Sequence, residues 1–171
     1  GTAAALKLSV DLWGIPVTMA PADHGMFILN LGCFIGCVGF SVYFNIHGFG
    51  IFLCAFGGTL TFSTYLIALE LGIGIIYANL LGGIVASVYA ELMARIRQFP
   101  AISYLVVSLF PLLPGAGIYY TMAYAVQNDM TSFAAKGYQT AAIAGALALG
   151  ILLVSTAFRI WSNYKMRKHM R

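Results

Sequence analysis

The sequence predicts an all-α polytopic membrane protein, a bundle of five membrane-spanning helices in which the fourth helix is discontinuous. Of its 171 residues, 61% are hydrophobic and only 8% are charged, whereas a soluble domain carries about a quarter charged residues. Such a chain has too few polar side chains to cover a soluble surface. Its length suits about five apolar segments of roughly 20 residues, the length that crosses a bilayer as a helix.

Short polar stretches separate the apolar segments and define a five-span membrane domain over residues 25–171. The predicted spans are 25–44, 49–69, 72–92, 101–126 and 139–161, followed by a basic tail, 162–171. Because the connections are short, neighbouring helices are expected to be antiparallel and adjacent. The segment 1–24 lacks the basic start of a signal peptide. We expect it to be an interfacial segment, the trimmed end of a longer chain or a remnant of cloning.

Basic residues are distributed unevenly between the two sides of this bundle. Five of the nine Lys and Arg lie within 159–171, and Arg95 and Arg97 fall on the same predicted side, whereas only Lys7 and Lys136 fall on the other. The positive-inside rule then places the C-terminus in the cytoplasm and the N-terminus outside. Topology and contact with anionic lipid of the bilayer account for the basic tail, so nucleic acid is not an expected partner.

The fourth predicted span contains SLFPLLPGAGIYYTM, residues 108–122, with two prolines three residues apart. Pro111 and Pro114 each remove a backbone donor and clash with the preceding turn. Unpaired backbone groups are tolerated at membrane depth only where protein buries them or where they line a watery cavity. We therefore predict two half-helices, 102–110 and 114–126, that meet near the middle of the membrane. A proline kink that serves packing alone is the alternative, and physics by itself does not separate the two.

The predicted start of the second half-helix has the features of a site for a carboxylate. Its first backbone amides lie at the positive end of the helix dipole, and no large side chain shields them. Hydroxyl groups follow within the next turn, and discontinuous helices form substrate sites in many transporters. The candidate substrate-binding residues here are Pro111, Pro114, Gly115, Ala116, Gly117, Tyr119, Tyr120 and Thr121.

Further polar residues lie within or at the ends of the spans. Asn30 and Asn79 either line a pathway or, more simply, form hydrogen bonds between helices. Three acidic residues are candidates for ion coupling: Glu91, Glu70 and Asp129. Intramembrane acids often serve as proton relays, but Glu91 is followed four residues later by an arginine and an ordinary helix ion pair is the simpler interpretation.

Small residues recur on helix faces, where they let helix backbones approach closely in lipid. One such face is predicted in the first span and one in the third: Gly32, Gly36 and Gly39, and Asn79, Gly83, Ala86 and Ala90. No Ser–His pair, paired aspartates or His–Glu metal motif appears at membrane depth, so neither an enzyme nor a metal site nor a cofactor is expected. The three cysteines are expected to behave as small hydrophobic residues.

The proline segment resembles the threonine/serine exporter family of ThrE type, specifically its small five-span, YjjB-like half. The shared pattern is P-x-x-P-G-x-x-x-Y-x-x-M over residues 111–122, with a further match in the FNI of residues 44–46. The resemblance covers about residues 25–171. It departs at His47, where proline is expected, and for a histidine in a turn on the cytoplasmic side a solvated position is the simpler interpretation.

The resemblance implies a subunit of a secondary exporter of small carboxylates in the bacterial cytoplasmic membrane. The implied substrates are threonine and serine or a succinate-like dicarboxylate, all of which carry a carboxylate. The implied partner is a larger ThrE-type membrane subunit with five spans of its own, and association of two copies of this chain stays open. The alternative is a membrane scaffold or assembly subunit that transports nothing.

Overall fold

The computed structural model describes residues 25–169, and within that range all regular structure is helical. The predicted segment 1–24 and the last two residues of the basic tail lie outside it. The described residues form six α-helices and one 3₁₀ turn: α1 Met26–Tyr43, α2 Gly50–Glu70, α3 Ile75–Arg97, α4 Ala101–Leu109, the 3₁₀ turn Phe110–Leu112, α5 Gly115–Val126 and α6 Met130–His169.

Four of these helices are long and apolar enough to cross a bilayer on their own, namely α1, α2, α3 and α6. The fifth candidate is a bent pair, which we call the fourth crossing, because 101–112 and α5 pass the same criterion together and meet at an angle of 52°. The chain is therefore a polytopic helical membrane protein with four to five candidate spans, and its fourth apolar segment is interrupted, as the two prolines predict.

The core forms where α2 lies against α1, α3 and α4. Its buried side chains are small apart from one tyrosine and one valine: Cys37, Cys54, Ala55, Ala90, Tyr104 and Val107. Small residues let the helices approach closely, and in lipid this packing replaces the hydrophobic effect as the main source of helix association. The cysteines are free and take part in this core as small hydrophobic groups.

The third and sixth helices approach most closely at two glycines. A Cβ atom added to Gly83 would lie 3.1 Å from the backbone oxygen of Leu147, and one added to Gly150 would lie 2.9 Å from that of Leu80. These contacts are with backbone atoms, which cannot rotate away as a side chain can. The predicted small-residue face of the third span thus packs against α6 at Gly83, whereas its Ala90 belongs to the core with α1, α2 and α4.

The small-residue face of the first helix behaves differently. A Cβ atom added at Gly32, Gly36 or Gly39 would meet nothing within 4 Å. Within the described part of the chain this face packs against no helix, because no element covers α1 on that side. Several large apolar side chains of α1 are likewise exposed, as expected for a helix bordering lipid or another chain.

Two helices extend beyond the predicted spans. The third begins at Ile75 rather than at residue 72, since Gly72 adopts φ +77° in the preceding turn, and it continues to Arg97. The sixth begins at Met130, nine residues before the predicted start of the last span at 139. The stretch before residue 139 contains polar residues and is therefore predicted as a loop, whereas the structure shows it as the first turns of α6.

Candidate functional site

The fourth crossing is interrupted where the prolines lie. Helix α4 tightens into the 3₁₀ turn 110–112, Leu113 is extended at φ −62° and ψ 127°, and Pro114 is the N-cap of α5 at φ −78° and ψ 51°. Pro111 and Pro114 cannot donate to the preceding turn, so the regular hydrogen-bond ladder ends here. The second half-helix thus begins at Gly115, one residue after its predicted first residue, Pro114.

The start of α5 offers fewer free amides than the sequence predicts. The Gly115 N–H donates to the backbone oxygen of Leu113 at 2.7 Å, and the Ile118 N–H donates to Pro114 at 3.1 Å. The prediction that the Gly115 amide is free to bind a carboxylate is therefore wrong, because this amide is already paired. The amides of Ala116 and Gly117 have no acceptor in the part of the chain that the structure describes, and they lie at the positive end of the helix dipole.

A cavity of about 280 Å³ opens beside this break, between α5, α6 and the start of α3. We call it the break cavity, and its lining is Tyr65, Ile75, Asn79, Pro111, Leu112, Leu113, Pro114, Ala116, Gly117, Tyr120, Lys136, Gln139, Thr140 and Ile143. Cavities for drug-sized ligands measure about 300–1,000 Å³, so this one suits a smaller solute.

Lys136 gives the break cavity its positive charge. It lies six residues into α6, and its Nζ donates to the Oε1 of Gln139 at 3.1 Å. We predicted Lys136 in an outer loop and so missed it as a site residue. The signal was present in the sequence, because an ionisable residue within an apolar helix points to a functional position, but the predicted span began too late to include it.

Comparison with protein families gives a match to the sequence model of the family described as threonine/serine exporter, ThrE, over residues 30–157. That range is most of the chain and includes the break and its cavity. This chain belongs to the threonine/serine exporter family. No match was found among curated proteins or among solved structures. Membership establishes a transport role and a multi-pass membrane location for the chain, and it points away from an enzyme.

In this member of the exporter family, Asn79 lines the break cavity. Its side chain is 3% exposed, and its Nδ2 donates to the backbone oxygen of Ile75 one turn earlier at 2.7 Å. The carboxamide is therefore held in one orientation by its own helix and makes no bond to another helix among the described residues. Asn79 lies only one turn from the start of α3, so the cavity is close to that end of the third helix.

Gly117 and Thr140 bring α5 and α6 together on the wall of the break cavity. A Cβ atom added to Gly117 would lie 2.5 Å from the Thr140 Oγ1 and 3.1 Å from its Cγ2. The Thr140 hydroxyl donates to the backbone oxygen of Lys136 at 2.7 Å, which leaves its oxygen able to accept. The absence of a side chain at Gly117 is therefore what allows this wall to close.

The three hydroxyl residues predicted after the break have different positions. Tyr120 lines the break cavity, whereas Tyr119 is half exposed and does not. The Thr121 hydroxyl donates to the backbone oxygen of Gly117 at 2.7 Å, a bond within its own helix. Of the three, only Tyr120 is placed to meet a solute in the cavity.

Asn30 lies away from the break cavity, on α1. Its Nδ2 donates to the backbone oxygen of Met26 at 3.0 Å, and its Oδ1 accepts a bond from the Ser63 hydroxyl on α2 at 2.8 Å. It therefore joins α1 to α2, which is the interhelical hydrogen bond that the sequence suggested as the simpler interpretation.

The three acidic residues predicted for ion coupling also lie outside the break cavity. Glu91 pairs with Arg95 at 3.8 Å, and Glu70 is the exposed last residue of α2. Asp129 accepts bonds from the Ser132 N–H at 3.1 Å and the Thr131 hydroxyl at 2.7 Å. Those bonds, from Ser132 first and then from Thr131, lower the pKa of the Asp129 carboxyl to about 2. Asp129 is thus the ionised N-cap of α6.

The charged lining of the break cavity is positive only. Its lining contains a lysine and several neutral hydrogen-bonding side chains, and no Asp or Glu is among the lining residues. Within the described residues, no group of three or more His, Cys, Asp or Glu is placed to hold a metal ion. A lining of this kind attracts an anion and gives a cation no counter-charge.

Proposed function

We propose that this chain is a subunit of a secondary exporter of small carboxylates in the bacterial cytoplasmic membrane, and that the break cavity holds the substrate carboxylate. Family membership supports transport of a threonine- or serine-like solute. The observation that carries the proposal is the convergence of Lys136 with the amides of Ala116 and Gly117 in a cavity without acidic side chains.

The proposed recognition is electrostatic. The start of a helix carries about half a positive elementary charge, and an ammonium group at the same cavity adds a full one. Protein atoms displace part of the water from the cavity, so these charges act more strongly on an anion there than they do in bulk solution. The amides of Ala116 and Gly117 donate to one carboxylate oxygen, and Lys136 neutralises the remaining charge. Asn79, Gln139 and Thr140 then orient the rest of the solute.

A cavity with positive charge only also distinguishes an amino acid such as threonine from a dicarboxylate. Threonine and serine carry an ammonium group beside their carboxylate, and this cavity supplies no acidic partner for it. A dicarboxylate of succinate type has no such group, and its second carboxylate can accept bonds from neutral donors. We therefore propose a dicarboxylate as the preferred solute of this subunit alone, with amino acids requiring an acidic group from a partner.

The proposed partner is the larger ThrE-type subunit with five spans of its own. The uncovered glycine face of α1, at Gly32, Gly36 and Gly39, supports a second chain at that position, because such faces pack against helices in lipid. A second copy of this chain is the alternative occupant. None of the three carboxylates considered for coupling lines the break cavity, so we assign none of them a coupling role.

The experiment measures export of labelled succinate and labelled threonine from bacterial cells that express this chain alone or together with the adjacent gene. Lys136→Gln is expected to lower export about tenfold or more, because a hydrogen bond to a charged group contributes about 1.5–3 kcal/mol. Lys136→Arg keeps the charge and is expected to retain part of the export. Tyr138→Phe, at an exposed position two residues away, is the control.

Two outcomes would contradict the proposal. In the first, Lys136→Gln exports at the normal rate and is present in the membrane in normal amounts. This result would show that the break cavity is not part of the export pathway. Absence of export of either solute under both expression conditions would favour the scaffold or assembly role. Quantifying the inserted protein by immunoblot separates a loss of transport from a loss of folding.

A further inference from the structure

A second cavity, of about 230 Å³, lies at the opposite end of the fourth crossing, where the loops after α1 and after α3 meet. We call it the loop cavity, and its lining is Phe44, Asn45, Ile46, His47, Gly50, Cys54, Arg97, Phe99, Ser103 and Tyr104. It shares no residue with the break cavity. Ser103 and Leu112, one from each cavity, are nine residues apart, or roughly 14 Å along a helix.

An arginine, a histidine and the starts of two helices converge on the loop cavity. Arg97 and His47 both line it, and so do residues at the starts of two helices, Gly50 of α2 and Ser103 of α4. Neither helix has a side-chain cap at its start. The Ile51 and Ser103 N–H groups donate to Gly48 and Pro100, whereas the remaining first-turn amides have no acceptor among the described residues. No Asp or Glu lines the cavity, and the field there therefore favours an anion.

Arg97 differs from the neighbouring arginine in having no acidic partner. Arg95 pairs with Glu91 at 3.8 Å and stacks on Phe158 and Trp161, at 4.9 and 5.3 Å from the ring centres. Arg97 faces the ring of Phe49 at 5.7 Å, and no carboxylate contacts it among the described residues. A topology signal requires only positive charge near the membrane, whereas Arg97 also lines a cavity.

The wall of the loop cavity is ordered by its own hydrogen bonds. Asn45 ends α1 in a left-handed conformation at φ 58°, and the Ile46 N–H donates to the backbone oxygen of Ser41 at 3.0 Å. Tyr104 is 3% exposed and lines the cavity, so its side chain forms part of this wall.

Two unpaired hydroxyls lie between the cavities along the chain. Ser108 on α4 and Ser87 on α3 are buried, and neither hydroxyl has a hydrogen-bond partner in the described structure. Ser108 lies between Tyr104 of the loop cavity and Pro111 of the break cavity along the chain. A route for a polar solute needs such groups along its length, since an apolar route would strip the solute of hydrogen bonds.

We propose that the loop cavity is a second binding site for a small carboxylate, which receives the solute on the side of the basic loops before it reaches the break cavity. This inference rests on the proposed function and assigns Arg97 as the main carboxylate ligand. Its planar guanidinium matches a carboxylate with two parallel hydrogen bonds. His47, Ser103 and the first-turn amides of α2 and α4 complete the site.

The test measures binding of labelled succinate to the full chain in nanodiscs of a zwitterionic lipid, so that anionic headgroups do not compete. The wild-type protein is expected to bind two succinates. Arg97→Gln is expected to lose one of them, with affinity at that site about tenfold weaker or worse, and Lys136→Gln is expected to lose the other. Arg95→Gln removes the same charge two residues away and is expected to keep both.

Arg97→Lys and Ser103→Ala serve as milder variants in case Arg97→Gln does not fold. Both are expected to weaken one site while leaving the thermal melt close to that of the wild type. Unchanged succinate binding in folded Arg97→Gln would overturn the second site. A variant effect that appears only with phosphatidylglycerol in the nanodisc would overturn it too, since the ligand would then be a lipid headgroup.

The same variants separate this inference from the proposed function. If Lys136→Gln stops export and Arg97→Gln binds succinate normally, the break cavity is supported as the export site and the second site in the loop cavity is refuted. If Lys136→Gln exports normally while Arg97→Gln loses one bound succinate, the loop cavity is supported as an anion site. The proposed role of the break cavity in export is then refuted.

Discussion

Lys136 shows how a single residue changes the chemistry of the candidate site. With the backbone alone, the break would offer two free amides, of Ala116 and Gly117, and weak selection for an anion. With the ammonium group beside them, the cavity carries a full positive charge and no acid. The residue was visible in the sequence, but its place beside the break depends on how α6 lies against α5.

Asp129 supports a prediction about pH. Its carboxyl is the N-cap of α6, and its pKa is lowered from 3.8 to about 2 by bonds from Ser132 and Thr131. A lowered pKa in the folded state means that the ionised group stabilises the fold above the unfolded value. That contribution disappears as pH falls from about 4 towards about 2.

We therefore expect Asp129→Ala to lower the melting temperature of the purified protein at neutral pH, and Asp129→Asn to lower it less, because the amide oxygen still accepts the capping bonds. The difference between wild type and Asp129→Asn should close as pH falls through that window. Melting curves followed by circular dichroism measure it. A difference that stays constant down to about pH 2 would show that the charge contributes nothing to the cap.

At the scale of elements, the close contact of α3 with α6 gives a matched pair of glycines. A Cβ atom at Gly150 would lie 2.9 Å from the backbone oxygen of Leu80 and 3.1 Å from the Ile84 nitrogen, whereas one at Gly145 would meet nothing within 4 Å. Both glycines lie in α6, so their intrinsic helix propensities are the same. Any difference between substitutions there reports packing.

Gly150→Ala is expected to destabilise the protein by about 1–3 kcal/mol, because the helix must move away from α3. Gly145→Ala is expected to change stability by less than about 1 kcal/mol, on the stabilising side, since alanine favours a helix over glycine. Unfolding in mixed micelles with increasing denaturing detergent measures both. Equal effects of the two substitutions would contradict the proposed close contact.

Of all the helices, the interrupted one has the structure that the sequence predicted best, because the break lies where the two prolines place it. Two prolines three residues apart leave a helix few alternatives, because each lacks a donor and clashes with the preceding turn. The sequence did not predict that the Gly115 N–H turns back to Leu113 at 2.7 Å. That bond depends on the extended Leu113 and on the φ and ψ of Pro114, which local propensities do not determine.

At the scale of the whole molecule, the bend of 52° between 101–112 and α5 bears on topology. A re-entrant loop returns to the side it came from and needs nearly a reversal of direction. A bend of this size lets the second half continue across the membrane. We therefore predict five crossings, with the loops at His47 and Gln98 on the side opposite to the loop at Asn128.

Fusions to alkaline phosphatase and to green fluorescent protein test this topology in bacterial cells. We expect phosphatase activity for fusions after Gly72 and Asn128, and fluorescence for fusions after His47 and Gln98, because the basic loops favour the cytoplasm. Fluorescence after Asn128 together with fluorescence after Gln98 would indicate a re-entrant fourth segment instead. Phosphatase activity after His47 would reverse the predicted orientation.

Composition, segment length and proline chemistry act locally along the chain, so they suffice to predict the class of this protein, the number of its apolar segments and the position of the break. Which polar groups meet depends instead on how the helices pack. This packing brought Lys136 and Asn79 to the break, placed Asn30 and Tyr119 elsewhere, and left the glycines of α1 uncovered. The reason is physical: contacts between helices depend on their rotation and register, which residues distant in sequence set together.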